Sequence, residues 1–221
     1  MKTDEVIQAI QKGDAATVAA LLDEDRSLLR AKSGTVSAIL LAVYHGHPEI
    51  AQLFVERGAE VSFAEACAVG DRRRALELLD RDPSLVKSYS EDGFPALGLA
   101  IFFQHPELAR ELIERGADVN AAARNPQRVA PVHAAATVRD HATMKLLLER
   151  GADANARQQM GFTAFHSAAS RGDIEIAKLL IEHGADPRAR TDDGKSALDI
   201  AEKYSQPAFA EWFRQAIRGE R

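Results

Sequence analysis

The sequence predicts an all-α solenoid of about seven helix-turn-helix units, joined by short β-finger loops and closed at each end by a polar-faced cap. Three observations predict it. The chain echoes itself at one period: Gly161 and Gly194, His133 and His166, and Gly151 and Gly184 are each 33 residues apart. A glycine followed by an aspartate recurs at Gly13–Asp14, Gly70–Asp71 and Gly172–Asp173, where a left-handed stop for one helix meets an N-cap for the next. The first and last units also carry polar residues where inner units are apolar, as an end repeat with no outer neighbour requires. Units that bury apolar surface only against their neighbours stack in line.

The first unit, about 1–33, opens with Val6, Ile7, Ala9 and Ile10 at helical spacing among Asp4, Glu5, Gln8, Gln11 and Lys12. Gly13 closes that helix and Asp14 starts the next. The second unit, about 34–62, carries Ala42, the turn around Gly46, and an apolar run ending at Gly58-Ala59. Gly58 to Ala66 is 8 residues, whereas Gly184 to Ala201 is 17, so nine residues are deleted and a gap is expected in the row of fingers. The third unit, about 63–92, echoes the first: Gly70 matches Gly13, Leu78-Leu79 matches Leu21-Leu22, and Ser84-Leu85 matches Ser27-Leu28. The fourth, about 93–127, places Gly98 where His133 and His166 stand and lengthens its finger through Arg124-Asn125-Pro126-Gln127. The fifth, about 128–160, has Arg128 and Arg139 in place of Gly161 and Gly172, and the second of these is expected in a left-handed turn. The sixth, 161–193, is the most regular. The last, 194–221, replaces a leucine pair by Trp212-Phe213, sets Arg214 where Ile181 would sit, and ends in Ile217 and a polar tail from Arg218.

These residues resemble the ankyrin repeat. Its Thr-Pro-Leu-His-x-Ala element stands as Thr163-Ala164-Phe165-His166-Ser167-Ala168 and as Ala130-Pro131-Val132-His133-Ala134-Ala135. Its Gly-Ala-Asp-x-Asn-Ala turn is intact over 116–121 and 151–156. The Asp-x-Ser-Leu endings of the first and third units look like a variant common in bacterial members. The resemblance covers all but a few terminal residues. It implies a noncatalytic scaffold that binds another protein on its concave side, with His133 and His166 hydrogen-bonding between neighbouring loops.

Composition narrows the rest. At 221 residues the chain fits one domain or two, and the repeat favours one array over 1–221. A net charge of -5 gives no reason to expect nucleic acid. One cysteine, Cys67, forbids an internal disulfide and fits a reducing, cytoplasmic setting. The start MKTDEVIQAIQKGD has acids within five residues and no long apolar run, so neither a signal peptide nor a membrane anchor is expected, and no Asn-x-Ser/Thr sequon occurs. The chain reads as a monomer.

Candidate chemistry is thin. The seven histidines occupy the repeat's fixed position (His133, His166), the tight inter-helix turns (His45, His47, His105, His141) or the residue before a turn glycine (His183), and no ligand set emerges. No metal, cofactor or catalytic residue is expected. Cys67 lies among small residues and reads as packing rather than nucleophile. Arg72-Arg73-Arg74 reads as a solvated face or one edge of a protein contact. For the partner, the two residues before each turn are the candidates on the inner face: Tyr44 and His45, Ala68 and Val69, Phe102 and Phe103, Thr137 and Val138, Ser170 and Arg171. Phe94, Val129, Phe162 and Lys195 follow the finger turns. The rings either fill space between repeats or form an apolar groove, with Tyr44, Phe102 and Phe103 as anchors and Phe94, Val129 and Phe162 along a wall. A groove two helix widths long, at roughly 10 Å each, suits a protein interface of about 800 Å² better than a small-molecule pocket. The rival readings are a small-ligand or enzymatic role in that groove, and a structural, orphan or designed scaffold with no specific ligand.

Overall fold

The computed structural model describes residues 2–218, with side chains to 216; the polar tail from 219 onward and the side chain of Ile217 lie outside the described residues. The chain packs as two compact units, one ending at Ala96 and the other beginning at Leu97.

The first unit runs α1 (Lys2–Lys12), α2 (Ala15–Glu24), a 3-10 helix (Arg26–Arg30), strands β1 (Lys32–Ser33) and β2 (Val36–Ser37), then α3 (Ala38–Tyr44), α4 (Pro48–Glu56), α5 (Phe63–Val69), α6 (Arg72–Arg81) and a second 3-10 helix (Pro83–Lys87). The outer end is capped as expected: α1 buries Val6, Ala9 and Ile10 and leaves its acids in water. Both Asp-x-Ser-Leu segments form the 3-10 helices, because Asp25 and Asp82 each accept from the amide two residues on, at 2.9 and 3.0 Å. The β1–β2 hairpin pairs Lys32 with Ser37, and a bridge joins Tyr89 to Pro95 in the finger that follows α6.

The second unit contains α7 (Ala96–Phe102) from its second residue on, α8 (Pro106–Glu114), α9 (Pro131–Val138), α10 (His141–Glu149), α11 (Ala164–Arg171), α12 (Ile174–Glu182), α13 (Ala197–Lys203) and α14 (Pro207–Arg218). Odd-numbered helices are alanine-rich, so neighbours approach closely: Ala134, Ala135, Ala136, Ala168 and Ala169 are all buried. Even-numbered helices supply the bulk, with Leu112, Leu147 and Leu180 at 0% exposure. Each such leucine stabilises by about 1.5–3 kcal/mol. At the far end α14 closes the stack with Phe209 and Phe213, whose rings lie 6.2 and 5.7 Å from that of Phe165. Arg214 points to the wet side, bonded to Glu202.

Two devices set the register. Second helices of a pair begin either on an aspartate cap (Asp14, Asp71, Asp140 and Asp173, accepting from Thr17, Arg74, Thr143 and Ile176) or on proline at the first turn (Pro48, Pro106), which needs no amide there. The turn before them is left-handed. Gly172 has φ 68°, but the same place is taken by Gln104, Arg139 and Ser205 at 62°, 59° and 54°. Arg139 is left-handed as expected, and Arg128 is too, at 51°.

The Gly-Ala-Asp-x-Asn turn works as a clamp. Asn120 donates to the Gly151 carbonyl (3.0 Å) and accepts from the Asp153 amide (2.7 Å); Asn155 repeats this on Gly184 and Asp186 (2.8 and 2.7 Å).

Candidate partner-binding face

The left-handed turns fix where the first helix of each pair ends, and so which side chains immediately precede the turn. In the first unit, Tyr44 is half-buried. Its ring meets Phe94 edge-on at 6.3 Å and its hydroxyl donates to Asp92 at 2.8 Å. Burial, and then the Asp92 carboxylate, push the phenol well above its ordinary range. Tyr44 and Phe94 therefore support one another, while His45 beside them is exposed, Ala68 is buried and Val69 half-buried.

In the second unit, Phe102 is 46% exposed and Phe103 half-buried, their rings edge-on at 5.2 Å. Thr137 and Val138 are half-buried, the Thr137 hydroxyl donating back to His133 at 2.8 Å. Ser170 does the same to Ser167, and Arg171 is exposed. Of the finger residues, Val129 is half-buried, Phe162 lies 5.6 Å from the His166 ring, and Lys195 pairs with Asp193 at 2.6 Å.

Two residues outside the sequence-based set share this register. Lys203 and Tyr204 precede Ser205, the left-handed residue at the last turn, and so continue the row; Tyr204 is 50% exposed with the Lys203 ammonium 5.1 Å from its ring centre. The signal was the period itself, since Ser205 falls 33 residues after Gly172. Met160, 56% exposed on a finger turn at φ 60°, was signalled by nothing.

His133 accepts from the Ala130 amide on Nδ1 (3.0 Å), and its Nε2 bonds the Ala156 carbonyl (2.9 Å). His166 takes the Thr163 amide in the same way, but its buried Nε2 has no hydrogen-bond partner among the described residues, so the bond between loops expected of it is not made. Burial holds both rings below the usual histidine range. Glu65 and Asp199 fill the same capping role on Ser62 and Ser196, making Ser-x-x-Glu and Ser-x-x-Asp boxes. Asp173, 2% exposed, gathers the Arg139 Nε (2.9 Å) and His141 Nε2 (2.8 Å) from the preceding repeat. Cys67 is fully buried, which pushes its thiol far above the range of a nucleophile. Among the described residues no group of three His, Cys, Asp or Glu could hold a metal, and no helix is long and apolar enough to cross a membrane.

A family profile described as ankyrin repeats in three copies matches residues 63–158 and 132–218. No curated protein matches the chain. The matched segments span more than half of the sequence and contain the asparagine clamps, His133 and His166, so the chain belongs to the ankyrin-repeat family, whose members are generally noncatalytic modules for binding other proteins.

Proposed function

We propose that this chain is a noncatalytic protein-binding module, a cytoplasmic monomer, and that the inner-helix row of its second unit is the contact surface. Phe102 and Tyr204 are its anchors; Thr137, Val138, Ser170 and Arg171 lie between them in the register of the repeats. The observation that carries this reading is the exposure of those two rings, 46% and 50%, at places in the register where the repeats between them put Thr137 and Ser170 (for Phe102) and Val138 and Arg171 (for Tyr204). Stacking does not require a ring there, whereas aromatic anchors dominate interface energetics. The rigid stack holds the side chains in place before a partner arrives, which lowers the ordering cost of association. Tyr44 and Phe94 of the first unit, tied to each other and to Asp92, stand as a preorganised edge beside the exposed His45.

The test is affinity capture from the source lysate with the full chain and with Phe102→Ser/Tyr204→Ser, then titration of a captured protein against both. At about 2 kcal/mol per anchor, Kd rises by roughly two to three orders of magnitude. Helical content stays the same and the melting temperature moves little. Undiminished binding by the double variant rejects this surface, and a collapse in melting temperature shows the rings to be packing groups.

A further inference from the structure

A different feature of the first unit is left open by the deleted finger. In the second unit two fingers are each tied to the one before through one backbone amide: Gln159 donates to Gln127 and Asp192 to Met160, both at 2.9 Å. These donors sit one residue after the amide that closes their own finger (Gln158 to Phe162, Thr191 to Lys195). Glu91 holds that place in the finger closed by Ser90 and Phe94. Its amide makes no hydrogen bond among the described residues, because the finger that would accept it is the missing one. Across the gap the Lys32 ammonium lies 2.6 and 2.7 Å from the Glu91 carboxylate oxygens. Both partners are exposed, so the pair contributes little.

Beneath it is a half-open groove of about 600 Å³, lined by residues of the β1–β2 hairpin, α6 and the two 3-10 helices. Leu29, Leu78, Leu85 and Tyr89 remain part-exposed along it, and Arg30 and Arg74 stand on its rim. Neither guanidinium has a partner among the described residues. The groove's buried carboxylate does not answer them: Glu65 is bonded by the Ser37 hydroxyl (2.6 Å) and by the Ser62 hydroxyl and amide (2.6 and 2.7 Å).

We infer that this groove binds an extended segment of a partner protein bearing apolar and acidic residues. The segment takes the missing finger's place, accepts the Glu91 amide on a backbone carbonyl, sets its apolar side chains on the leucines and Tyr89, and brings carboxylates to Arg30 and Arg74. This is strand addition to a vacant edge, with the backbone bond giving register and the arginines giving selectivity. It uses none of the residues of the second unit's inner face and stands or falls separately from them.

The test pans displayed random twelve-residue peptides on the full chain and titrates a synthetic peptide from the enriched set into the isotope-labelled protein. Enriched sequences should pair acidic with apolar residues, and the Glu91 amide resonance should shift and become protected from exchange. Arg30→Ala/Arg74→Ala should raise Kd roughly tenfold or more, while Phe102→Ser/Tyr204→Ser leaves it unchanged. Inserting the chain's own finger, residues 155–162, between Val61 and Ser62 should abolish binding; Arg30→Glu, at an exposed position, is the milder variant should the insertion not fold. The inference is overturned if the peptides lack acidic residues, if the arginine variants bind equally, if the shifts fall on α9 and α11, or if a dimer seen by light scattering is what protects Glu91.

Discussion

Asp173→Asn separates charge from capping at the junction between α10 and α12. The carboxylate is 2% exposed, caps α12 through the Ile176 amide at 3.1 Å, and accepts from Arg139 and His141 of the preceding repeat. Asparagine caps a helix about as well as aspartate, so the substitution removes the charge and leaves the cap. A hydrogen bond to a buried charge contributes about 1.5–3 kcal/mol, but Arg139 and His141 are 56% and 48% exposed. Solvent on the cationic side brings each bond towards the range of about 0.2–1 kcal/mol found for exposed pairs. The expected loss at pH 7 is about 1–2 kcal/mol. Burial works to raise the Asp173 pKa, yet Arg139, the Ile176 amide and His141 outweigh it and hold the group below 3.8. A carboxyl with a depressed folded pKa stabilises fully above its unfolded value and loses that contribution as pH falls through the folded one. Urea unfolding should therefore show the variant's deficit in full at pH 7, narrowing below about 3.8 until the two proteins coincide. Equal stability at pH 7, or a deficit that persists unchanged into strong acid, refutes an electrostatic role for this network.

Other outcomes follow from the same geometry. Arg139→Ala and Arg139→Gly both lose the bond to Asp173, but only glycine relaxes the φ of 59°, so the glycine variant should be the more stable by about 1 kcal/mol in urea; the reverse order contradicts the strain argument. His133 and His166 are held below 6.5 by burial, so below that pH the unfolded chain takes up protons that the folded one refuses, and stability falls. His133→Gln/His166→Gln should flatten the decline in urea midpoint between pH 7.5 and 5.5, and an unchanged slope would assign the effect elsewhere. Phe209→Ala, at a ring with no exposure packed against Phe165, Phe213 and Trp212, should cost about 3–5 kcal/mol by calorimetry.

The legible parts of the fold are those with a local cause. Glycine-aspartate pairs marked three of the turns because a left-handed φ and an N-cap leave residue-type signatures. Gln104 and Ser205 left none, since a non-glycine residue in that conformation costs only about 1 kcal/mol and the stack on either side imposes it. Tyr204 was missed for that reason, and with it one end of the candidate face. Asp173 was legible as a cap but not as the acceptor of Arg139 and His141, which arrive from 34 and 32 residues earlier. The deleted finger could be counted from the spacing. That Lys32 and Glu91 would reach across the gap depends on how the flanking loops close, which no spacing encodes.

In a stacked array the repeated groups satisfy one another: Asn120 finds the next repeat's glycine, Gln159 the previous finger, and His133 the following loop. A group that departs from the period loses that partner by construction. Ser62 stands where an asparagine would clamp and instead bonds Glu65; Glu91 stands where a finger would accept and finds none. Phe102 and Tyr204 place rings where the neighbouring repeats put Thr137, Val138, Ser170 and Arg171. Saturation of the regular positions is what gives the irregular ones meaning, because a donor left without its acceptor, or a ring left half-bare, in such a stack is available to another molecule.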